Sequence, residues 1–331
     1  MTGSFDPWQA YVELSWPEGR PRDGGFVALQ LPGRMHDYIA HASDDEPALL
    51  VSLETAPSVV RAPVRLEYLE VSFNAPCRIA PSTGPVIEGR FAVVRCTSTN
   101  WRLKEYFVRA VTPLIESLPV EPSAADVSAA MNDVVELFKA LESPQRGSAK
   151  GIWGELFVIY QSADPIAVAK AWRCEGSEKF DFSLAEERLE VKTTESSRRA
   201  HRFSLDQLEP PAGTTAYVAS LLVRSAVGGL SVLNLVKAIC ARLGDRTDLA
   251  ARVWSNITMT LGEGWEEALE IRFDEHHASE HLRFFLAEMV PRVTKPANER
   301  VFDITFRSDL SDIPALDIHS HSGPLISSVH S

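Results

Sequence analysis

The sequence predicts a mixed α/β (α+β) protein, and three observations carry that expectation. Short apolar runs broken by Pro and Gly fill residues 1–98. Helical spacing of apolar residues takes over between Trp101 and Leu141. From 151 to 244 helical and strand patterns alternate, as they do where helices cover a sheet. These shifts divide the chain into an N-terminal mostly-β domain (1–98), a helical connector (99–150), a core (151–244) and a C-terminal α/β extension (245–331).

In the first stretch Phe26–Leu31, Ala48–Leu53, Val64–Phe73 and Val86–Cys96 read as strands, the third from the alternation VRLEYLEVSF. They suggest an antiparallel sheet or small sandwich, with His36 and His41 in a polar, loop-like region. Trp101–Leu118 carries Leu103, Phe107, Val111, Leu114 and Leu118 on helical spacing, and Pro113 is expected to kink it. Ser123 is the expected N-cap of a helix to about Leu141. Ile152–Gln161 reads as a helix and Val168–Cys174 as a short strand. Phe180–Leu184 and Leu189–Thr194 read as a hairpin, Ser204–Leu208 as the opening of a short helix, Ala216–Arg224 as a buried strand and Leu230–Leu243 as an apolar helix. In the tail, Ala268–Phe273 and Val301–Arg307 read as strands and Ser279–Val290 as a helix, and the closing DIHSHSGPLISSVHS is expected to fray.

Composition removes several function classes. Four scattered cysteines, Cys77, Cys96, Cys174 and Cys240, show no CxxC spacing, which argues against a zinc knuckle or disulfide framework and for buried free thiols. No run approaches the roughly 18 apolar residues that span a bilayer, and MTGSFDPWQAYVELSW has no secretory pattern, so a cytoplasmic protein without membrane contact is expected. The histidines of HSH and Glu275-His276-His277 match no metal-ligand spacing. A net charge of −12 speaks against a protein that grips nucleic acid unaided. Basic residues nevertheless gather in one region: Arg188, Lys192, Arg198, Arg199, His201 and Arg202, with Arg146 and Lys150 shortly before it.

The chemistry concentrates in GIWGELFVIYQSADPIAVAKAWRCEGSEKFDFSLAEERLEVKTTE. Glu190 and Lys192 stand at i and i+2 of one strand, hence on the same face, with Val191 turned away. A turn near Ala185–Glu187 would bring Asp181 opposite residue 190, 191 or 192, depending on register. Two converging carboxylates repel unless a cation neutralises them. Mg²⁺ suits that task, since it takes oxygen ligands and keeps several waters. Lys192 could then position an attacking water or stabilise developing negative charge, and Glu155 on the preceding helix could add a carboxylate.

The order Glu on a helix, Asp at a strand start, then Glu-Val-Lys resembles the PD-(D/E)XK nuclease superfamily. The strings GELF, AW, FDF, EVKTTE and FSLDQL look closest to a bacterial group of PD-(D/E)XK motif proteins linked to restriction and phage-defence genes. The resemblance implies a restriction-endonuclease-like core of helix, β-meander, helix and strand. It also implies catalytic roles for Asp181, Glu190, Lys192 and Glu155, a Mg²⁺ (or Mn²⁺) ion on Asp181, Glu190, Val191 and Glu155, and an accessory Gln207 at the start of the second core helix. Lys150, Arg198, Arg199 and Arg202 are the expected nucleic-acid contacts. Phe180 replaces the motif proline.

The expectation is therefore a Mg²⁺-dependent DNA endonuclease of a restriction or anti-phage system, working with partner proteins, with a homodimer favoured where both strands are cut. A non-catalytic scaffold or DNA-recognition subunit of a defence complex is the alternative, favoured by the acidic charge. A glycosidase built on Asp181 and Glu190 is a third reading that gives Lys192 and Glu155 no role.

Overall fold

The computed structural model describes residues 5–14, 25–42, 45–53, 61–82, 84–145, 147–173, 179–294 and 302–329. Arg146, Cys174 and Val301, which entered the sequence reading, lie outside the described residues. The chain forms two compact units, Met1–Ser143 with Gly244–Thr258, and Pro144–Leu243 with Met259–Ser331.

The first unit contains α1 (Pro7–Glu13), β1 (Phe26–Gln30), β2 (Tyr38–His41), β3 (Pro47–Ser52), β4 (Val64–Arg65), β5 (Leu69–Pro81), β6 (Ile87–Cys96), α2 (Trp101–Glu116) and α3 (Ala124–Leu141). The strands run in the order β1-β2-β3-β6-β5-β4. A parallel pairing of β1 with the C-terminal part of β5, Phe26 opposite Ile79, closes the sheet, while β4 pairs with the N-terminal part of β5. It is thus a sheet closed through a parallel joint rather than the antiparallel sheet or sandwich expected, and closure covers the β1 edge. Alternate residues Phe26, Ala28, Tyr38, Ala40, Ala48, Leu50, Ile79, Phe91 and Val93 fill its inside. The opposite set, Ile39, Leu49, Val51, Val71 and Val94, is equally buried, with α2 and α3 packed on β3, β5 and β6. Ser123 caps α3 in a capping box with Asp126, and α2 runs through Pro113 without a break.

Two readings of this region need correction. His41 lies in β2, buried, with Nε2 3.0 Å from the Tyr11 carbonyl oxygen, not in a loop. Val64–Phe73 is not one strand: a turn at Leu66–Leu69, closed by the Leu66 N–H on the Leu69 carbonyl, separates β4 from β5.

The second unit contains α4 (Ala149–Gln161), α5 (Pro165–Ala171), β7 (Phe182–Leu184), β8 (Glu187–Thr194), β9 (Ala200–Ser204), β10 (Thr215–Leu222), β11 (Ser225–Ser231) and α6 (Val232–Leu243). After α7 (Thr247–Leu261), which crosses the boundary between the units, come α8 (Trp265–Glu270), β12 (Arg272–Phe273), α9 (Glu275–His281), β13 (Leu282–Leu286), β14 (Thr305–Asp309) and α10 (Pro324–Val329). The central sheet has the order β13-β10-β8-β7, with β8 and β10 parallel and the outer pairs antiparallel. β9 does not continue a meander within this sheet; it pairs with β14, and β11 pairs with β12.

Val168–Cys174, read as a strand, is α5 as far as Ala171: Asp164 caps it and Pro165 opens its first turn, a start signal the apolar run concealed. Ala268–Phe273 is α8 followed by the short β12, and Ser279–Val290 is the end of α9 followed by β13. α7 went unpredicted although Leu249, Val253, Trp254, Ile257 and Leu261 are buried at helical spacing. The C-terminal stretch is not frayed at Leu325 and Ile326: both are fully buried, and their N–H groups donate to the Glu187 carboxylate at 2.7 and 3.3 Å. Among the described residues no helix is long and apolar enough to cross a membrane.

Candidate functional site

The β7–β8 hairpin sets the site. Leu184 pairs with Glu187 and Phe182 with Leu189, leaving Ala185 and Glu186 as a two-residue turn with Ala185 at φ 48°. Asp181 immediately precedes β7, and its Oδ2 accepts the Val191 N–H at 2.8 Å. That bond fixes the carboxylate beside the β8 stretch that carries Glu190 and Lys192. α4 supplies Glu155; the helix starts at the Ser148 cap and is buried from Ile152 to Ile159. It packs closely on β8 because residue 154 is glycine: a Cβ there would stand 1.9 Å from Thr193 Oγ1.

Glu155, Asp181 and Glu190 are all buried. Lys192 Nζ donates to Glu190 Oε1 at 2.6 Å and to Gln207 Oε1 at 3.2 Å. Gln207 Nε2 donates to the same Glu190 oxygen at 2.6 Å, and its Oε1 also accepts the Ser204 N–H. Gln207 therefore sits in the site, but on a 3-10 turn, Leu205–Gln207, rather than at the start of a core helix. The Lys192 ammonium lies 5.3 Å above the Phe203 ring, a contact that favours the cation.

Sequence reading missed two participants. The Arg173 guanidinium bridges two of the carboxylates, donating to Asp181 Oδ1 at 2.9 Å and Glu155 Oε1 at 3.1 Å. The Trp172 indole N–H donates to Glu155 Oε2 at 2.7 Å. The sequence did hold a signal for Arg173: three carboxylates beside one lysine leave two charges to neutralise, and few basic residues separate Glu155 from Asp181.

Burial pushes the Glu155 carboxyl up to about 8, helped by the Asp181 charge and opposed by Arg173 and the Trp172 hydrogen bond. Burial and Asp181 do the same to Glu190, against Lys192. Asp181 is raised by burial, with Arg173 and the Val191 N–H pulling it back. With every group ionised, three carboxylates face Arg173 and Lys192 and leave one negative charge in excess. One oxygen, Glu190 Oε2, is buried with no hydrogen-bond partner among the described residues. A hard divalent cation fits this set, which offers carboxylate oxygens, a negative charge in excess once all three ionise, and an unsatisfied acceptor. Among the described residues no three acidic, His or Cys side chains already form a cage, and the Arg173 guanidinium lies between two of the candidates.

The expected nucleic-acid contacts separate into two kinds. Arg198 and Arg202 are exposed and Lys150 is half-buried; among the described residues their side chains are tied to Asp309, Thr305 and Glu195 respectively. Arg199 is committed to the fold, donating to the Ser220 carbonyl and hydroxyl and to the His281 carbonyl. Arg307, directly opposite Arg202 on β14, adds an exposed cation that the sequence did not suggest.

His201 lies buried beside this region with Nε2 2.7 Å from Ser220 Oγ. Burial, then Lys192 and Arg199, push its pKa down to about 4. Its folded value lies below the ordinary 6.5, so the neutral ring's contribution is complete above pH 6.5 and is lost as pH falls toward 4. His201→Gln is expected to remove roughly 2 kcal/mol of the wild-type stability loss on going from about pH 7 to about pH 4.5. Denaturant unfolding at both pH values reads this, and equal losses in the two proteins would refute it.

Residues 9–311 match the model of the family DUF4420, described as "Putative PD-(D/E)XK family member". No curated protein and no solved structure matches the chain. With most of its length covered by that match, the chain belongs to the DUF4420 family of the PD-(D/E)XK kind.

Proposed function

We propose that the chain is a divalent-metal-dependent endonuclease acting on DNA phosphodiesters in a restriction or anti-phage system. The observation that carries this reading is the buried set Glu155, Asp181 and Glu190 with Lys192 at 2.6 Å from Glu190, in a PD-(D/E)XK family chain. Asp181, Glu190 and Glu155, with the main chain at Val191, would hold a Mg²⁺ or Mn²⁺ ion. When bound, the ion supplies charge neutralisation at a phosphoryl oxygen and lowers the pKa of a coordinated water. Lys192, steered by Gln207 and Glu190, puts a cation where negative charge develops on the phosphate, and burial strengthens that interaction. The Val191 N–H keeps Asp181 from rotating away, so its orientation is set before substrate arrives.

The net charge of −12 supports a second element of the proposal: partner proteins of the same operon supply part of the cationic DNA surface, and a homodimer would serve double-strand cutting. The same charge favours the competing reading of a non-catalytic subunit. The deciding experiment incubates supercoiled and linear duplex DNA with the protein in Mg²⁺, Mn²⁺ or EDTA, alone and with the operon's other products. Metal-dependent cleavage that Asp181→Asn abolishes is expected. Absence of cleavage in every combination leaves the non-catalytic subunit as the better account.

A further inference from the structure

We infer that Arg173 is a built-in counter-cation of the carboxylate cluster, holding the position that a divalent ion takes, and that the ion binds by displacing its guanidinium. This rests on the cluster taking a metal ion, but not on DNA being the substrate.

The hydrogen bonds divide the carboxylate oxygens into two groups. Asp181 Oδ2 is held by the Val191 N–H and Glu155 Oε2 by the Trp172 indole, donors that belong to the strand and the core. Glu190 Oε1 is held by Lys192 and Gln207. The remaining oxygens are Asp181 Oδ1 and Glu155 Oε1, both taken by Arg173, and Glu190 Oε2, which nothing among the described residues takes. Each carboxylate is thus anchored through one oxygen, and the second oxygens are met by one guanidinium or by no group among the described residues. One or two carboxylates are the usual protein contribution to a small hard cation that completes its shell with water, and Asp181 Oδ1 and Glu155 Oε1, both held by the one guanidinium, supply that number.

Arg173 is also built to leave. Its side chain is 26% exposed, against 8% for Glu155 and 7% for Asp181, so a route to solvent exists for the guanidinium but scarcely for the carboxylates. Its own N–H donates to the Asp181 carbonyl at 2.8 Å, and neighbouring Trp172 bridges to Phe182. The main chain therefore stays fixed while the side chain swings. Without the guanidinium, the cluster holds Lys192 alone against three buried carboxylates, a state that breaking a buried ion pair makes costly. Arg173 removes that cost in the metal-free protein and in exchange competes with the metal.

The test uses Mn²⁺ alone, without nucleic acid, on the full-length protein and on Arg173→Gln and Arg173→Lys. Titration calorimetry is expected to show about tenfold or more tighter Mn²⁺ binding to Arg173→Gln than to wild type, within the about 5–150-fold usual for coupled equilibria. Thermal unfolding supplies a second readout, independent of activity, linked to the affinities through the same cycle. Arg173→Gln should melt below wild type without metal, and the gap should close at saturating Mn²⁺, where neither protein uses the guanidinium. Arg173→Lys, which keeps the charge but cannot fork between two carboxylates, should fall between them in both measurements. Equal or weaker Mn²⁺ binding by Arg173→Gln, a melting gap that persists at saturation, or no binding to any of the three proteins overturns the inference. A nuclease assay that fails while these shifts appear would count against the DNA reading and leave the inference standing.

Discussion

Lys192→Ala is expected to lower DNA cleavage by about 10²–10⁴-fold, the range for removing a positioned acid, base or charge stabiliser. Lys192 is 18% exposed and its ammonium contacts a carboxylate that is 4% exposed, so it acts in a partly dehydrated environment where its charge counts for more than at the surface. Its orientation is over-determined by Glu190, Gln207 and the Phe203 ring. Truncation removes the cation without touching the main chain of β8, which is paired on both sides by β7 and β10. The fold should survive, because Gln207 still donates to Glu190 Oε1. Single-turnover cleavage under saturating Mg²⁺ reads the effect, with circular dichroism to check the fold. If the folded variant cuts as fast as wild type, Lys192 has no part in the chemistry and the nuclease proposal fails with it.

What the sequence made legible was local. Period-two alternation put Glu190 and Lys192 on one face, and the LAEE turn implied a hairpin that would return Asp181 to them; the register is the one that brings Asp181 Oδ2 to Val191. Glu155 could be given a helix but no position, because its place depends on the close approach of Gly154 to Thr193, a contact between elements 39 residues apart in the chain. Arg173 escaped because an arginine after a short helix has no periodic signature. Its function comes from two carboxylates, one preceding it by 18 residues and one following it by 8. The tail was misread for the same reason on a larger scale. Pro324–Val329 is too short to show amphipathic spacing, and its anchor is Glu187, 138 residues away from Leu325. No strand was legible at Ala200–Ser204, because its partner, β14, lies about a hundred residues downstream.

Glu190→Gln is expected to raise the stability of the metal-free protein by about 1–3 kcal/mol while weakening Mn²⁺ binding by more than the roughly 10–100-fold that outer-shell changes cost. The two effects have one cause. Lys192 and Gln207 both donate to Oε1, so the new amide must present its oxygen there, which keeps both hydrogen bonds. Its NH₂ then replaces Oε2, the oxygen that is buried without a hydrogen-bond partner among the described residues. The amide carries no charge, so it escapes the burial penalty and the Asp181 repulsion that now raise the Glu190 carboxyl above its ordinary range. A buried carboxylate retained against that cost is a site held in readiness for a cation, a strain that stability alone would have removed. Thermal melts with and without saturating Mn²⁺ should therefore cross. The variant should be the more stable protein in EDTA, and wild type should gain more from the ion, as ligand linkage requires. A metal-free variant that melts below wild type, or one that binds Mn²⁺ as tightly, would mean that Glu190 is satisfied within the protein, and the metal would have to be sought elsewhere than at its free oxygen.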